Sequence, residues 1–350
     1  MNNIEIKNNS KTEVPVALFF FNRPQSLKKV FEAIRFSRPS KLFLIQDGAR
    51  INNENDIQNI KACREIVERV DWECEVHKNF SKENMSCDHR IFTGISWAFQ
   101  YVDRLVILED DCLPSQSFLP FCKEVLDKYK DDLRINMISG MNYLDEFNET
   151  ENSYFFSNTA AGWGWATWKR SWNIAVEEKN FDFLTDRLIK KMVSDCIKKS
   201  GLKINVIQGF ISKAEKIRNK NLETLKVNSW EYAIGASMLL SSSMIITPKK
   251  NLISNIGLTE DSTHAVNSIK KLDKATQKLF FKKTYDLDFP LKHPKYVIRN
   301  FQYEKEHKRI VGSNSFINLL RRIESFGRRF YYSNVNERRD FITKLLKIKM

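Results

Sequence analysis

Three carboxylates in a row, Glu109-Asp110-Asp111, directly follow the apolar run Leu105-Val106-Ile107-Leu108. An apolar run without polar alternation reads as a strand buried on both faces, so the acids stand at a strand end. Adjacent carboxylates repel one another. The arrangement makes physical sense when a hard cation such as Mn²⁺ or Mg²⁺, or the hydroxyls of a sugar, neutralises them. The competing reading is a solvated acidic turn, and the buried strand before it and Pro114 beyond it weigh against that.

Other polar clusters stand at similar places. Asn22-Arg23-Pro24 ends the apolar run 14–21, where Arg23 could pair with a base or a phosphate or could be a surface residue of a turn. Asp47 in Gln46-Asp47-Gly48 could accept the imino hydrogen of uracil, although Asp-Gly is also a common turn pair. In Asp88-His89-Arg90, Asp88 reads as an N-cap, and Arg90 in the first helical turn could face donor phosphates. Trp163, Trp165, Trp168 and Trp172 crowd beside Gly162 and Gly164. Aromatic rings stack on sugars and glycines let a backbone approach closely, but most of these rings should fill core space, leaving one or two for substrate.

The elements that position these residues follow from periodicity. Apolar runs at 14–21, 42–45 and 105–108 read as strands, and 74–77 and 135–139 as further short ones. Helical spacing of apolar residues at 26–36, 57–70, 91–102 and 118–129 separates them. Strand and helix alternating through short connections predict an α/β fold, a mainly parallel sheet flanked by helices. Ligands of such sheets bind at the carboxyl ends of the strands, so the polar clusters should share one edge. Residues 238–248 and 252–256 read as further strand pieces.

At this point the sequence resembles a known group. A strand, then Glu-Asp-Asp, then an apolar helix is similar to the DxD-type element of GT-A glycosyltransferases, and the Glu-Asp-Asp form resembles that of N-acetylglucosaminyltransferase I. Phe21-Asn22-Arg23-Pro24, Leu108-Glu109-Asp110-Asp111-Cys112-Leu113-Pro114-Ser115, Gly162-Trp163-Gly164-Trp165-Ala166-Thr167-Trp168 and Ser254-Asn255-Ile256-Gly257 resemble phrases of bacterial nucleotide-diphospho-sugar transferases. The resemblance implies a GT-A (Rossmann-like) catalytic domain over residues 14–300. It implies a metal, Mn²⁺ or Mg²⁺, on Asp111, with Asp110 and Glu109 as donor contacts beside Asn22, Arg23, Asp47 and Arg90. It also implies a catalytic base at Glu231, where the resembling enzymes usually carry Asp. The phrase Glu260-Asp261-x-x-His264 implies His264 as a second metal or diphosphate contact, and Trp163 and Trp165 are the expected acceptor rings.

Around this domain the sequence predicts a flexible segment at 1–13, a Lys-rich helical insertion at about 180–228 and a basic helical tail at 301–350. The chain carries 57 Lys and Arg against 43 Asp and Glu. Twelve of those cations and five acids fall in 301–350, so the tail holds half of the excess of 14. Its apolar stripe (Phe316, Leu319, Leu320, Ile323, Phe326) beside Arg321, Arg322, Arg328 and Arg329 suits an anionic membrane surface, the catalytic domain or a second subunit. The six cysteines lack C-x-x-C spacing and read as reduced, partly core-filling thiols. No run is long enough to span a bilayer and no secretory signal is visible, which predicts a cytoplasmic protein at or near the inner membrane. The expected function is metal-dependent, inverting transfer of a sugar from a UDP-linked or similar donor to a saccharide or lipid-linked saccharide, in surface polysaccharide or lipopolysaccharide synthesis. A sugar-1-phosphate nucleotidyltransferase is the enzymatic alternative, but it needs a Gly-rich loop after the first strand, and Asn22-Arg23-Pro24-Gln25-Ser26-Leu27 has no glycine. A decayed, non-catalytic binder of carbohydrate or nucleic acid is the other; the intact carboxylates favour the enzyme, and nucleic acid is not an expected partner.

Overall fold

The computed structural model describes residues 12–159, 162–176, 186–199, 230–258, 268–311, 315–333 and 337–338. Four strands, β1 (Thr12–Phe20), β2 (Pro39–Gln46), β3 (Glu75–Phe80) and β4 (Arg104–Glu109), pair in parallel in the order β3-β2-β1-β4. The sheet continues from β4 through β8 (Trp165–Trp168), β6 (Ile135–Ser139), β9 (Met244–Pro248) and β7 (Tyr154–Ser157). In that half β8 runs antiparallel to both its neighbours, β9 is parallel to β6, and β7 is antiparallel to β9. The result is an eight-stranded, mostly parallel α/β sheet of Rossmann-like type, with helices on both faces. A separate antiparallel ribbon joins β5 (Cys112–Pro114) to β10 (Ile253–Asn255).

β1 shows why these runs fold as they do. Its side chains alternate between two core layers, so nearly every residue must be apolar. Val16, Leu18 and Phe20 pack on one face against Leu27, Phe31 and Ile34 of α1 (Pro24–Ser37) and Phe121 and Val125 of α4 (Phe118–Lys128). Ala17 and Phe19 pack on the other with Ile91 and Ile95 of α3 (Cys87–Ala98), Trp172 of α5 (Lys169–Val176) and Ile234 of α7 (Trp230–Leu240). Pro24 at the first position of α1 lacks an N–H that would have no helical partner there, and its fixed φ suits the turn out of β1. Asn53 caps α2 (Glu54–Val67), its side chain accepting from the Asp56 amide. Cys63, Cys112 and Cys122 fill core space as small apolar groups.

Several boundaries differ from the periodicity. β1 begins at Thr12, inside the segment expected to be loose, and β3 extends to Phe80. The strand expected over 238–248 starts only at Met244. Met238 instead belongs to α7, where it and Ile234, one turn apart, face the core, and a turn through Ser242 in the left-handed region intervenes. α3 starts at Cys87 with Ser86 in the cap position, so Asp88 lies in the first turn rather than capping it. Of the Lys-rich insertion, α6 (Arg187–Lys199) is described, and residues 200–229 lie outside the described residues. The short α8 (Lys274–Gln277), α9 (Phe301–Val311) and α10 (Ser315–Tyr332) complete the described helices.

Gly164, at the entrance to β8, has φ +60°, and its carbonyl accepts from the Gly140 amide at 2.8 Å. A Cβ there would lie 2.4 Å from Cδ1 and 2.6 Å from Cγ1 of Ile253. Gly164→Ala combines a backbone conformation that L side chains resist with overpacking against the β10 ribbon. The expected loss is about 1–3 kcal/mol by equilibrium chemical denaturation. An unchanged midpoint would show that the ribbon is not packed this way.

Candidate active site at the carboxyl edge of the sheet

β1 and β4 are direct neighbours in parallel register, with Phe19 opposite Glu109. The residues following each strand therefore emerge side by side. The Phe21 amide donates to Asp110 Oδ2 at 3.0 Å. The Arg23 guanidinium Nη1 lies 2.8 Å from Asp111 Oδ2 and 3.4 Å from Asp110 Oδ1. Arg23 occupies the N-cap position of α1 without a side-chain cap, a poor place for a cation beside the positive end of a helix. The two carboxylates reverse that balance. Burial would lower the Arg23 pKa, but Asp110 and Asp111 outweigh it and hold the group firmly charged.

The acids differ among themselves. Burial raises the Asp110 carboxyl to about 6, with Arg23 pulling the other way. Glu109 is pushed well above its ordinary range, first by burial and then by the charges of Asp111, Asp110 and Glu231, Arg23 again opposing. Glu231 stands in the first turn of α7, exposed, so the helix that packs Ile234 and Met238 into the core also carries this carboxylate toward Glu109. Tyr143 feels it too: burial chiefly, and Glu231 in addition, push its hydroxyl up to about 12.

Asp111 has an unusual neighbour in Gly257. The β5–β10 ribbon continues past β10 so that the Ile256 amide donates to the Asp111 carbonyl at 2.8 Å, and the Gly257 amide donates to Asn255 Oδ1 at 2.9 Å. A Cβ on Gly257 would sit 2.0 Å from Asp111 Oδ2. Only glycine lets the ribbon lie flat against this carboxylate.

Support comes from residues that periodicity did not single out. Asp56, buried in the first turn of α2, accepts from Asn22 Nδ2 at 2.7 Å and from Arg50 Nε and Nη2 at 2.7 Å each. It thereby anchors the end of β1. Gln46 ties β2 to that end by donating to the Phe21 carbonyl, while Arg64 donates to Gln46 Oε1 at 2.7 Å. The spacing Asn53-x-x-Asp56, a capping pattern, could have marked the α2 start three residues before the expected 57, but it carries no hint of the Arg50 and Asn22 contacts.

The remaining expected site residues fall into three groups. Asp47 Oδ1 accepts from the Gly48 and Met85 amides, and Arg90 donates to the Gln46 and Asn79 carbonyls, so both brace the ends of β2 and β3. Beside them a cleft of about 590 Å³ is lined by Gly48, Ile57, Lys61, Arg64, Phe80 and Lys82 among others. Trp165 is 1% exposed inside the core, contrary to the expectation of a ring open to substrate. Trp163 is half-buried against Phe280, ring centres 5.0 Å apart, and is the ring of the pair with a face to offer. His264, with Glu260 and Asp261, lies outside the described residues.

Among the described residues no three His, Cys, Asp or Glu side chains enclose an ion by themselves. The donor set nevertheless suits a hard divalent cation. It consists of carboxylate oxygens, and Glu109 is raised first by burial and then by the charges of Asp111, Asp110 and Glu231, which a cation would relieve. Asp111 would be its protein ligand, but Asp111 Oδ2 is paired with Arg23 at 2.8 Å, so Arg23 would have to release it to admit the ion, with ligand oxygens making up the rest of the shell.

No family model matches the chain, and no curated protein matches it. Solved structures similar to it include UDP-glucose pyrophosphorylase complexed with UDP-glucose, at TM-score 0.29 and 13% identity over 46% of this chain and 78% of that one. Apo UDP-glucose pyrophosphorylase gives 0.34 and 10% over 69% and 93%. The 4-diphosphocytidyl-2C-methyl-D-erythritol synthase from Anaerococcus prevotii DSM 20548 gives 0.29 and 10% over 65% and 96%. Similarity at that level carries no activity and no residue role to this chain.

The charge balance has a consequence in pH. Asp110 and Glu109 both bind protons more tightly folded than unfolded, so the folded state gains protons first as pH falls. The contribution of Asp110 to stability is therefore greatest below its ordinary value of 3.8 and is lost as pH rises through about 6. Asp110→Asn should flatten the stability profile in that window, measured by denaturant melts at a series of pH values. A steeper fall in the variant would contradict the assignment.

Proposed function

We propose that the chain is a glycosyltransferase that moves a sugar from a nucleotide-diphospho-sugar, UDP-linked in the simplest case, to a saccharide or lipid-linked saccharide acceptor. The observation that carries this reading is the convergence of Arg23, Glu109, Asp110 and Asp111 at one carboxyl edge, with Glu231 close enough to perturb Glu109. Open α/β sheets bind ligands at that edge. Surface polysaccharide or lipopolysaccharide assembly is the setting that suits such an activity.

In this reading Arg23 orients the diphosphate of the donor, since a guanidinium matches phosphate geometry with two parallel hydrogen bonds. A divalent ion, Mn²⁺ or Mg²⁺, on Asp111 would supply electrostatic stabilisation of the leaving diphosphate. Glu109 and Asp110 fix the donor side, Asp110 by holding the end of β1 in place. Glu231 takes the proton of the acceptor hydroxyl as its oxygen attacks the anomeric carbon and the bond to phosphate breaks, giving inversion. Trp163 with Phe280 offers an aromatic face to a sugar ring.

Nucleotidyl transfer is less well supported by the local geometry. β1 ends at Phe20 and α1 begins at Pro24, leaving no glycine-containing loop between them to wrap a triphosphate. The two chemistries differ in product. Transfer or hydrolysis of a nucleotide-sugar releases nucleoside diphosphate, whereas nucleotidyl transfer from a triphosphate and a sugar phosphate releases pyrophosphate.

A panel of nucleotide-sugars with Mn²⁺, assayed for nucleoside diphosphate, tests the proposal. Glu231→Gln should lower turnover by about 100-fold or more while donor still raises the melting temperature. Asp111→Ala should lose both turnover and the metal-dependent donor shift, with the circular dichroism spectrum unchanged. Full donor turnover in Asp111→Ala, or pyrophosphate as the product, would overturn the reading.

A further inference from the structure

α10 departs from every other long helix described here in burying none of its described side chains. Ile317, Leu319, Leu320, Ile323, Phe326 and Phe330 are all exposed, Ile323 to 59%, and Tyr331 at the helix end reaches 73%. Leu319, Ile323, Phe326 and Phe330 recur at three- and four-residue spacing, so they form one stripe along the helix. Arg321, Arg322, Arg328 and Arg329 lie off that stripe, against Glu324 alone, so the helix is strongly basic on its polar side.

Polar contacts at its edges join the helix to the rest of the chain, which it meets at the turn Ile269–Lys271. Arg321 donates to the Ile310 carbonyl at 2.8 Å, Glu324 accepts from the Lys274 amide, and Arg338 donates to the Phe330 and Tyr331 carbonyls at the last turn. These contacts fix the orientation of the helix, and the Arg338 guanidinium lies over the Phe330 ring at 5.2 Å, while Leu319 and Ile323 remain more than half exposed.

We propose that α10 docks the protein onto an anionic lipid bilayer, lying in the interface with its Leu, Ile and Phe side chains among the acyl chains and its arginines at the headgroups. A second copy of the chain is a poorer occupant, because a symmetric pairing of this helix would bring two arginine-rich flanks together. A bilayer satisfies both sides of the helix at once, apolar area and positive charge. The exposed tyrosines at its carboxyl end suit the headgroup level. No described helix is long and apolar enough to cross a membrane, so the contact is one of lying on the surface. The seven-charge excess of residues 301–350 adds attraction to the same surface.

The test is sedimentation of the full chain with vesicles of phosphatidylcholine mixed with phosphatidylglycerol, and with vesicles of phosphatidylcholine alone. The full chain should pellet with the anionic vesicles, weakly or not at all with the neutral ones, and less as salt rises. The double variant Ile323→Glu, Phe326→Glu should reduce binding by roughly tenfold or more, and so should Arg322→Glu, Arg329→Glu. All four positions are exposed, so both variants should melt at the temperature of the parent. The proposal fails if the parent ignores anionic vesicles or if either variant binds like the parent. It fails equally if the parent runs as a dimer on gel filtration that Ile323→Glu, Phe326→Glu converts to monomer. None of these readouts depends on donor turnover.

Discussion

The ion pairs of Arg23 with Asp111 and Asp110 are the interaction around which the site is organised. A half-buried guanidinium at the start of a helix and a run of adjacent acids at a strand end are each unfavourable alone. Parallel pairing of β1 with β4 brings the two together, and each makes the other tolerable. Asp110 contributes twice, by accepting from the Phe21 amide and by facing Arg23, so it joins the two strand ends through backbone as well as charge. Removing either side of this arrangement leaves charge uncompensated where burial makes it costly.

The surrounding residues make sense as measures that keep this pairing in register. Asp56 anchors Asn22 and Arg50, Gln46 reaches from β2 to the Phe21 carbonyl, and Asp47 and Arg90 brace the ends of β2 and β3. On the far side the β5–β10 ribbon lays Gly257 against Asp111. A site that must position charge to within a fraction of an ångström gains from supports of this kind, because groups already oriented need not reorganise when charge develops. The dense polar network around β1 is consistent with a strand end that is held rather than free.

Much of this was legible in the residues. Apolar runs ending in polar clusters gave β1, β2 and β4 and their shared edge, because a strand buried on both faces leaves no other pattern available. What periodicity could not give was long-range pairing. Arg23 and Asp111 are 88 residues apart in the chain, and only the sheet order makes them neighbours. Asp56 stands just before the helix expected over 57–70, and nothing in one sequence reveals its partners Asn22 and Arg50. Met238 was misplaced into a strand because short apolar stretches fit both periods, and Trp165 was read as open to substrate because alternation along β8 depends on which layer each face meets.

The electrostatics also bear on the order in which a donor and a cation would arrive. Arg23 stands against Asp110 and Asp111, and the charge of Glu231 reaches Glu109 as well, so the edge carries more acid than base, while Glu109 itself is raised first by burial and then by those acids. A diphosphate approaching alone would meet this excess, and a cation approaching alone would find too few protein oxygens to complete its shell. Each lacks what the other brings. Under the proposed function, donor and divalent ion therefore bind best as one complex, with Glu231 left to serve the acceptor. In that reading, the acids that are costly to gather at this edge are the same groups that would select a ligand carrying both charges.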